Sequence, residues 1–251
     1  AMASETATGR FASLVNMNEA RSIRFRNIRF ANSSAGSNVY TNSSRVLVKL
    51  GIGSAHCQFL NCTFIDSASL SNLPSAPESL ISTGYADSVL IEGCTFFGGQ
   101  VGIDVIGAAP DNRSTGNIVR FNELARQVNT GISVVNQNHV LVDSNMLNDV
   151  RTNASYVLLC QYVYESSRIV RNRVYSTKGA SCIGVSDMHG TATDFCYVAN
   201  NMLLSLDDGS TNQLTTPLNM IKGSYVKVCF NSVRLRTHTH VNVAAATLGG
   251  G

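Results

Sequence analysis

Arg151, Lys178 and Asp207 each stand six residues beyond an asparagine, namely Asn145, Asn172 and Asn201, and Asp208 follows directly. If those asparagines mark equivalent points of a repeat, the three charged side chains fall in one column on neighbouring coils. A lysine flanked by an arginine can remove the C5 proton of a sugar while the arginine neutralises the adjoining uronate carboxylate. Asp207 and Asp208 are oxygen ligands of the kind Ca2+ takes, and can hold that ion between protein and substrate. A surface ion pair between Lys178 and Asp207 accounts for the same residues. Asp187 and His189 form a second candidate acid/base pair. Asn136, Gln161, Tyr162 and Tyr164, with His139 nearby, join amides to phenol rings. Such a set suits sugars, because a ring offers an apolar face and an amide offers both a donor and an acceptor. Ordinary turn polarity explains them as well. Asp104 is a further candidate for substrate contact, or a solvated strand residue. His238 and His240 alternate on one face of a strand, with no third metal ligand evident beside them.

Positioning these residues is the task of a repeat that is visible by eye. IRFRNIRF (23–30), CQFLNCTF (57–64), VLIEGCTF (89–96), NIVRFNEL (117–124), VLVDSNML (140–147), SRIVRNRV (167–174), CYVANNML (196–203) and VKVCFNSV (226–233) share one template: apolar, any, apolar, any, any, Asn or Cys, any, apolar. The sixth position holds Ile28, Cys62, Cys94, Asn122, Asn145, Asn172, Asn201 and Asn231, at spacings of 34, 32, 28, 23, 27, 29 and 30 residues. Those are solenoid repeat lengths. The alternation predicts a short half-buried strand, a tight turn and a second strand. An Asn at the turn tolerates left-handed backbone and can hydrogen-bond local groups. Stacked in register about 4.8 Å apart, such amides pair up the stack; the Ile and Cys of the first three coils replace that ladder with an apolar stack. A third apolar run follows a variable loop in each coil: RVLVKL, SLIST, GIDVIG, GISVVN, YVLLCQ, CIGVSD, LNMIKG and VNVAAA. Its inward residues are expected at Ile103/Val105, Ile132/Val134, Val157/Leu159 and Ile183/Val185. The outward column between them is Asp104, Ser133, Leu158 and Gly184, which holds one carboxylate where a glycosidase needs two, about 5–10 Å apart.

The reading is an all-β, right-handed parallel β-helix of about eight coils, each of three short strands, with an Asn/Cys ladder. Residues 1–13 read as a cloning remnant and lead-in, 14–248 as a single domain and 249–251 as a flexible glycine tail. Charged residues are 14% of the 251 and hydrophobic ones 44%, a balance that suits a turn-rich β protein. The net charge is +3 and Trp is absent, so neither a broad basic patch nor a base-stacking surface for nucleic acid is indicated. Arg21, Arg24, Arg26 and Arg29 read as a solvated strand face. No apolar run approaches a membrane span. The seven cysteines form no CxxC pair and read as small core residues.

The Asn ladder, the coil length and the three-strand pattern resemble the pectin-lyase-like superfamily of parallel β-helices over about residues 14–248. That resemblance implies polysaccharide as partner, a secreted or cell-surface location, and a groove on the outer face of one sheet. If the chain is an enzyme, it implies a polysaccharide lyase or glycoside hydrolase, with Lys178, Arg151, Asp187 and His189 catalytic. Asp104, Asn136, Gln161, Tyr162 and Tyr164 would then contact substrate, and Ca2+ on Asp207 and Asp208 would be the one cofactor. The resemblance equally covers non-catalytic surface or adhesin-like solenoids, and phage tailspikes, which would make the chain a trimer.

Overall fold

The computed structural model describes residues 13–32, 46–66, 79–109, 112–150, 156–176, 180–206, 216–236 and 246–248. No helix occurs among them, and the strands assemble into three sheets of 11, 8 and 8 strands. Pairing between strands is parallel throughout, each strand lying on its counterpart from the coil before. The chain is therefore a parallel β-solenoid.

One coil shows the local logic. Leu141–Asp143 lies in the second sheet, Ser144 turns the corner, and Met146–Val150 lies in the third sheet. A loop leads to Tyr156–Tyr164 in the first, longest sheet. The turn works because one residue adopts left-handed backbone, and that residue is the fifth of the template, not the sixth. Asn27, Asn61, Gly93, Phe121, Ser144, Arg171, Asn200 and Phe230 all have φ between 51° and 65°. The kink points the fifth side chain toward solvent, where almost any residue is accepted, and turns the sixth into the core from Cys62 to Asn201; Asn231 is half-buried, and Ile28, on the first described coil, is exposed where an apolar stack was expected.

There the asparagines do what their amide chemistry permits. Asn145 Oδ1 accepts from the backbone N–H of Asn122 at 3.1 Å and from its Nδ2 at 2.9 Å. Asn145 Nδ2 donates to Val119 O at 2.9 Å and to Asn172 Oδ1 at 3.0 Å. The pattern repeats through Asn172 and Asn201 to Asn231. Toward the other end Cys94 N–H donates to Asn122 Oδ1 at 2.9 Å, and Cys62 N–H to Cys94 Sγ at 3.3 Å. The cysteines thus continue the ladder with sulfur as acceptor, where an apolar stack was expected. A second set of acceptors serves the corner before the template: Asn117 Oδ1 takes Val89 N–H at 2.8 Å and Ser167 Oγ takes Val140 N–H at 3.1 Å.

Around these ladders the interior is a stack of like residues. Phe30, Phe64 and Phe96 lie ring on ring at 4.9 and 4.6 Å, and Leu124, Leu147, Val174 and Leu203 extend the column. Six cysteines are buried and Cys229 is half-buried, all as free thiols. The four N-terminal arginines are exposed.

In the long sheet the expected register is one residue out on one coil. Ile132 pairs with Leu158 and Val134 with Cys160, so Leu159, not Leu158, belongs to the outward column. The cause is a bend at the start of each long-sheet strand. Two successive residues turn inward there (Leu80/Ile81, Val157/Leu158, Cys182/Ile183), all essentially inaccessible. Counting by twos from Val157 therefore slips. The last run is also displaced: the strand lies at Ala246–Leu248, and residues 241–245 of the expected run fall outside the described residues.

Asn145→Ala should remove four buried hydrogen bonds, leaving the Asn122 N–H without its acceptor, and cost about 3 kcal/mol, whereas Asn231→Ala, at the half-buried end of the ladder where water can substitute, should cost about 1 kcal/mol. Urea unfolding monitored by circular dichroism measures both. Equal costs would mean that the ladder is not the source of the stability assigned to it.

Candidate functional site on the long sheet

Register places Lys49, Ser82, Asp104, Ser133, Leu159, Gly184 and Asn219 in one outward column of the long sheet. Gly184 has a definite reason to be glycine. A Cβ there would lie 2.2 Å from the ring of Tyr156, so the phenol lies flat across the coil above it. Its hydroxyl oxygen accepts from Asn219 Nδ2 at 2.9 Å. Tyr156 thereby bridges two coils and paves this part of the face with an aromatic surface. Gln161 lies in the next outward column, in register with Val135 and Ser186.

Asp104 is the carboxylate of this face. Burial pushes its pKa from 3.8 up to about 6, against the opposing effect of hydrogen bonds from Ser133 and Ser79. It is three strands away from the coil of Asp187, about 14 Å along the stack, before an offset of three residues along the strand is added. The two cannot flank one glycosidic bond.

Beyond that column the long sheet kinks. Asn136, Tyr162 and Asp187 share one position on successive coils, each with left-handed backbone (φ 53°, 52° and 53°). Three of the long strands run straight through this kink, so the next outward row is also in register: Asn138, Tyr164, His189 and Ser224. Asp187 pairs first with Lys222 Nζ at 2.8 Å, and the ammonium holds its carboxyl below the usual range. His189 Nε2 is 4.0 Å from the same carboxylate, while its Nδ1 meets Ser224 Oγ at 2.8 Å. Its ring stacks on Tyr164 at 5.3 Å, and on the other coil the guanidinium of Arg113 lies over the Tyr164 ring at 3.6 Å. His139 is held by Ser166 at 2.7 Å and Glu165 at 3.2 Å.

The structure therefore brings together Tyr162, Tyr164, Asp187 and His189, with Asn136 on the coil before. Asp104 and Gln161 stand apart from them on the open face. Arg151, Lys178, Asp207, Asp208, His238 and His240 lie outside the described residues. Among the described residues no three His, Cys, Asp or Glu side chains converge as a metal site would require. Four residues of the cluster escape sequence reasoning: Arg113, Tyr156, Asn219 and Lys222. For Tyr156 a signal exists, since a glycine in an outward strand position implies that something lies across it.

No protein-family model matches the chain, and no curated protein does. Among solved structures, one that it matches is HetL, a pentapeptide repeat protein involved in heterocyst differentiation regulation from the cyanobacterium Nostoc sp. strain PCC 7120. That match is 11% identical, covers 87% of this chain and 88% of that one, and has a TM-score of 0.19. The parallel solenoid rests on the chain's own strand pairing.

Because the folded-state pKa of Asp104 is raised, the stability it contributes is complete below its ordinary value and is lost as pH rises through about 6. Asp104→Asn should leave stability unchanged at pH 3.5 and raise it by on the order of 2 kcal/mol at pH 8. Thermal melts of both proteins across that range test this, and a gain that does not depend on pH would contradict it.

Proposed function

We propose that this chain is an extracellular, carbohydrate-interacting β-solenoid that holds a polysaccharide on the outer face of its long sheet without cleaving it. The observation that carries the reading is the Tyr156 ring laid across Gly184 with its hydroxyl fixed by Asn219. A flat aromatic surface beside orientated polar groups is what a pyranose needs, because its axial C–H groups pack on the ring while its hydroxyls hydrogen-bond. Gln161 and Tyr162 continue that surface toward the kink. The resemblance to pectin-lyase-like β-helices supports the same face as the one in use.

Binding is favoured over cleavage by the state of the carboxylates. Asp187 is committed to Lys222 as an anion, and Asp104 stands too far away to be its partner. The lyase reading depends on Arg151 and Lys178 acting together, with Ca2+ on Asp207 and Asp208, all of which lie outside the described residues.

A glycan array followed by affinity electrophoresis tests the proposal. Retention by at least one polysaccharide is expected, with Tyr156→Ala weakening it about tenfold, equivalent to about 1.4 kcal/mol. No new reducing ends or unsaturated uronates should form, with or without Ca2+. Absence of binding across the array would leave the chain a bare scaffold, and product release would make it an enzyme; either outcome overturns the proposal.

A further inference from the structure

Among the described residues Arg113 is a cation at the kink without a counter-ion. Lys222, by contrast, pairs with Asp187 at 2.8 Å. Among the described residues no carboxylate pairs with Arg113. Its guanidinium carbon lies over Tyr164, 3.6 Å from the ring centroid, and that ring is backed by His189, whose Nδ1 is held by Ser224. The half-buried guanidinium thus rests on a stack anchored on three successive coils.

Its Nε–H is shut away from solvent and meets no acceptor. A charge that has given up part of its hydration and gained no counter-ion is held at a cost, and an approaching anion relieves that cost. A guanidinium stacked on a ring keeps its N–H edges in its own plane, the geometry that takes two oxygens of one anionic group.

From this geometry we infer that Arg113, held on Tyr164 and His189, is a subsite for an anionic substituent of the bound glycan, a carboxylate or a sulfate. The inference rests on the glycan-binding reading and adds the substrate class: an acidic polysaccharide, with its neutral sugar faces on Tyr156 and Tyr162 and its charge at Arg113. The role is recognition. No proton or bond is moved by Arg113, and the nearest acid, Asp187, stays paired with Lys222.

Dextran, carboxymethyl-dextran and dextran sulfate share one backbone and separate the effects. In affinity electrophoresis at 0.15 M salt, the wild-type chain should be retained by one or both anionic polymers with a dissociation constant at least tenfold below that for dextran. Whichever of the two is held more tightly identifies the substituent. Arg113→Gln should bring anionic retention down to the dextran level, while Arg168→Gln, which removes an exposed cation from the second sheet, should leave it unchanged. Unaltered melting temperatures establish that both variants are folded. Equal retention by all three polymers overturns the subsite and leaves the glycan-binding reading standing. An equal loss in Arg113→Gln and Arg168→Gln also overturns it, since net charge alone would then explain binding. No retention by any of the three overturns the subsite as stated, and the glycan array decides separately whether the wider reading falls with it.

Discussion

Each ladder amide is satisfied only by the coil next to it. Asn145 has two donors and one acceptor oxygen in the core, and every partner it uses belongs to the coil before or the coil after. A buried amide without partners costs on the order of 1–3 kcal/mol, so a coil that slipped by one residue would lose its ladder contacts in both directions. That constraint fixes the register, and the register fixes everything else. It aligns Phe30, Phe64 and Phe96 into one stack, brings Leu158 over Ile132, and requires the residue before each ladder position to take left-handed backbone. It also makes the solenoid nearly one-dimensional, with stability built from contacts between neighbours.

The same constraint leaves the outside free. Interior positions must match their neighbours above and below, but outward positions answer only to solubility and use. The long sheet shows this most clearly. Its outward column runs through Lys49, Ser82, Asp104, Ser133, Leu159, Gly184 and Asn219, with no type repeated except serine, while the column behind it is uniformly aliphatic. Variation of that kind on a rigid frame is where recognition can be written. Tyr156 over Gly184 is such a case, a ring placed by removing the side chain beneath it.

What could be read from sequence follows the same division. The template was legible because it records the interior, and the interior repeats. The ladder positions, the second strand after each turn, and most of the long-sheet runs lie where the alternation puts them. The turn residue was misassigned because Phe121, Arg171 and Phe230 are not residues that announce left-handed backbone; the geometry is imposed by the ladder residue that follows. Leu158 was placed on the wrong face because two inward residues in succession break the period of two, although aligning TGISV with YVLLC and SCIGV puts Leu158 over Ile132 directly. Tyr162, Tyr164, Asp187 and His189 could be found because they follow a repeated run at a constant distance. Arg113 could not, since it lies in a segment between Ile106 and Ile118 that no other coil shares.

Four acids among the described residues are tied to basic side chains. Glu92 is held by Arg120 at 2.7 Å, Asp143 by Arg171, Glu165 by His139 and Asp187 by Lys222. All four join a side chain to one on the adjoining coil, so they reinforce the register already set in the core. On an exposed surface each contributes little, typically below about 1 kcal/mol; Arg171 is 61% exposed. Their chemical consequence is larger than their energy. At the kink the Lys222 ammonium holds the Asp187 carboxyl below its ordinary range, so it stays ionised and cannot deliver a proton near neutral pH, and the ammonium so tied offers little to a ligand's charge. Asp104 pairs with no cation among the described residues, and burial disfavours its charge. At the kink Arg113 has no paired carboxylate among the described residues, and its charge lies over the Tyr164 ring, which gives that edge of the sheet the electrostatics for accepting an anion.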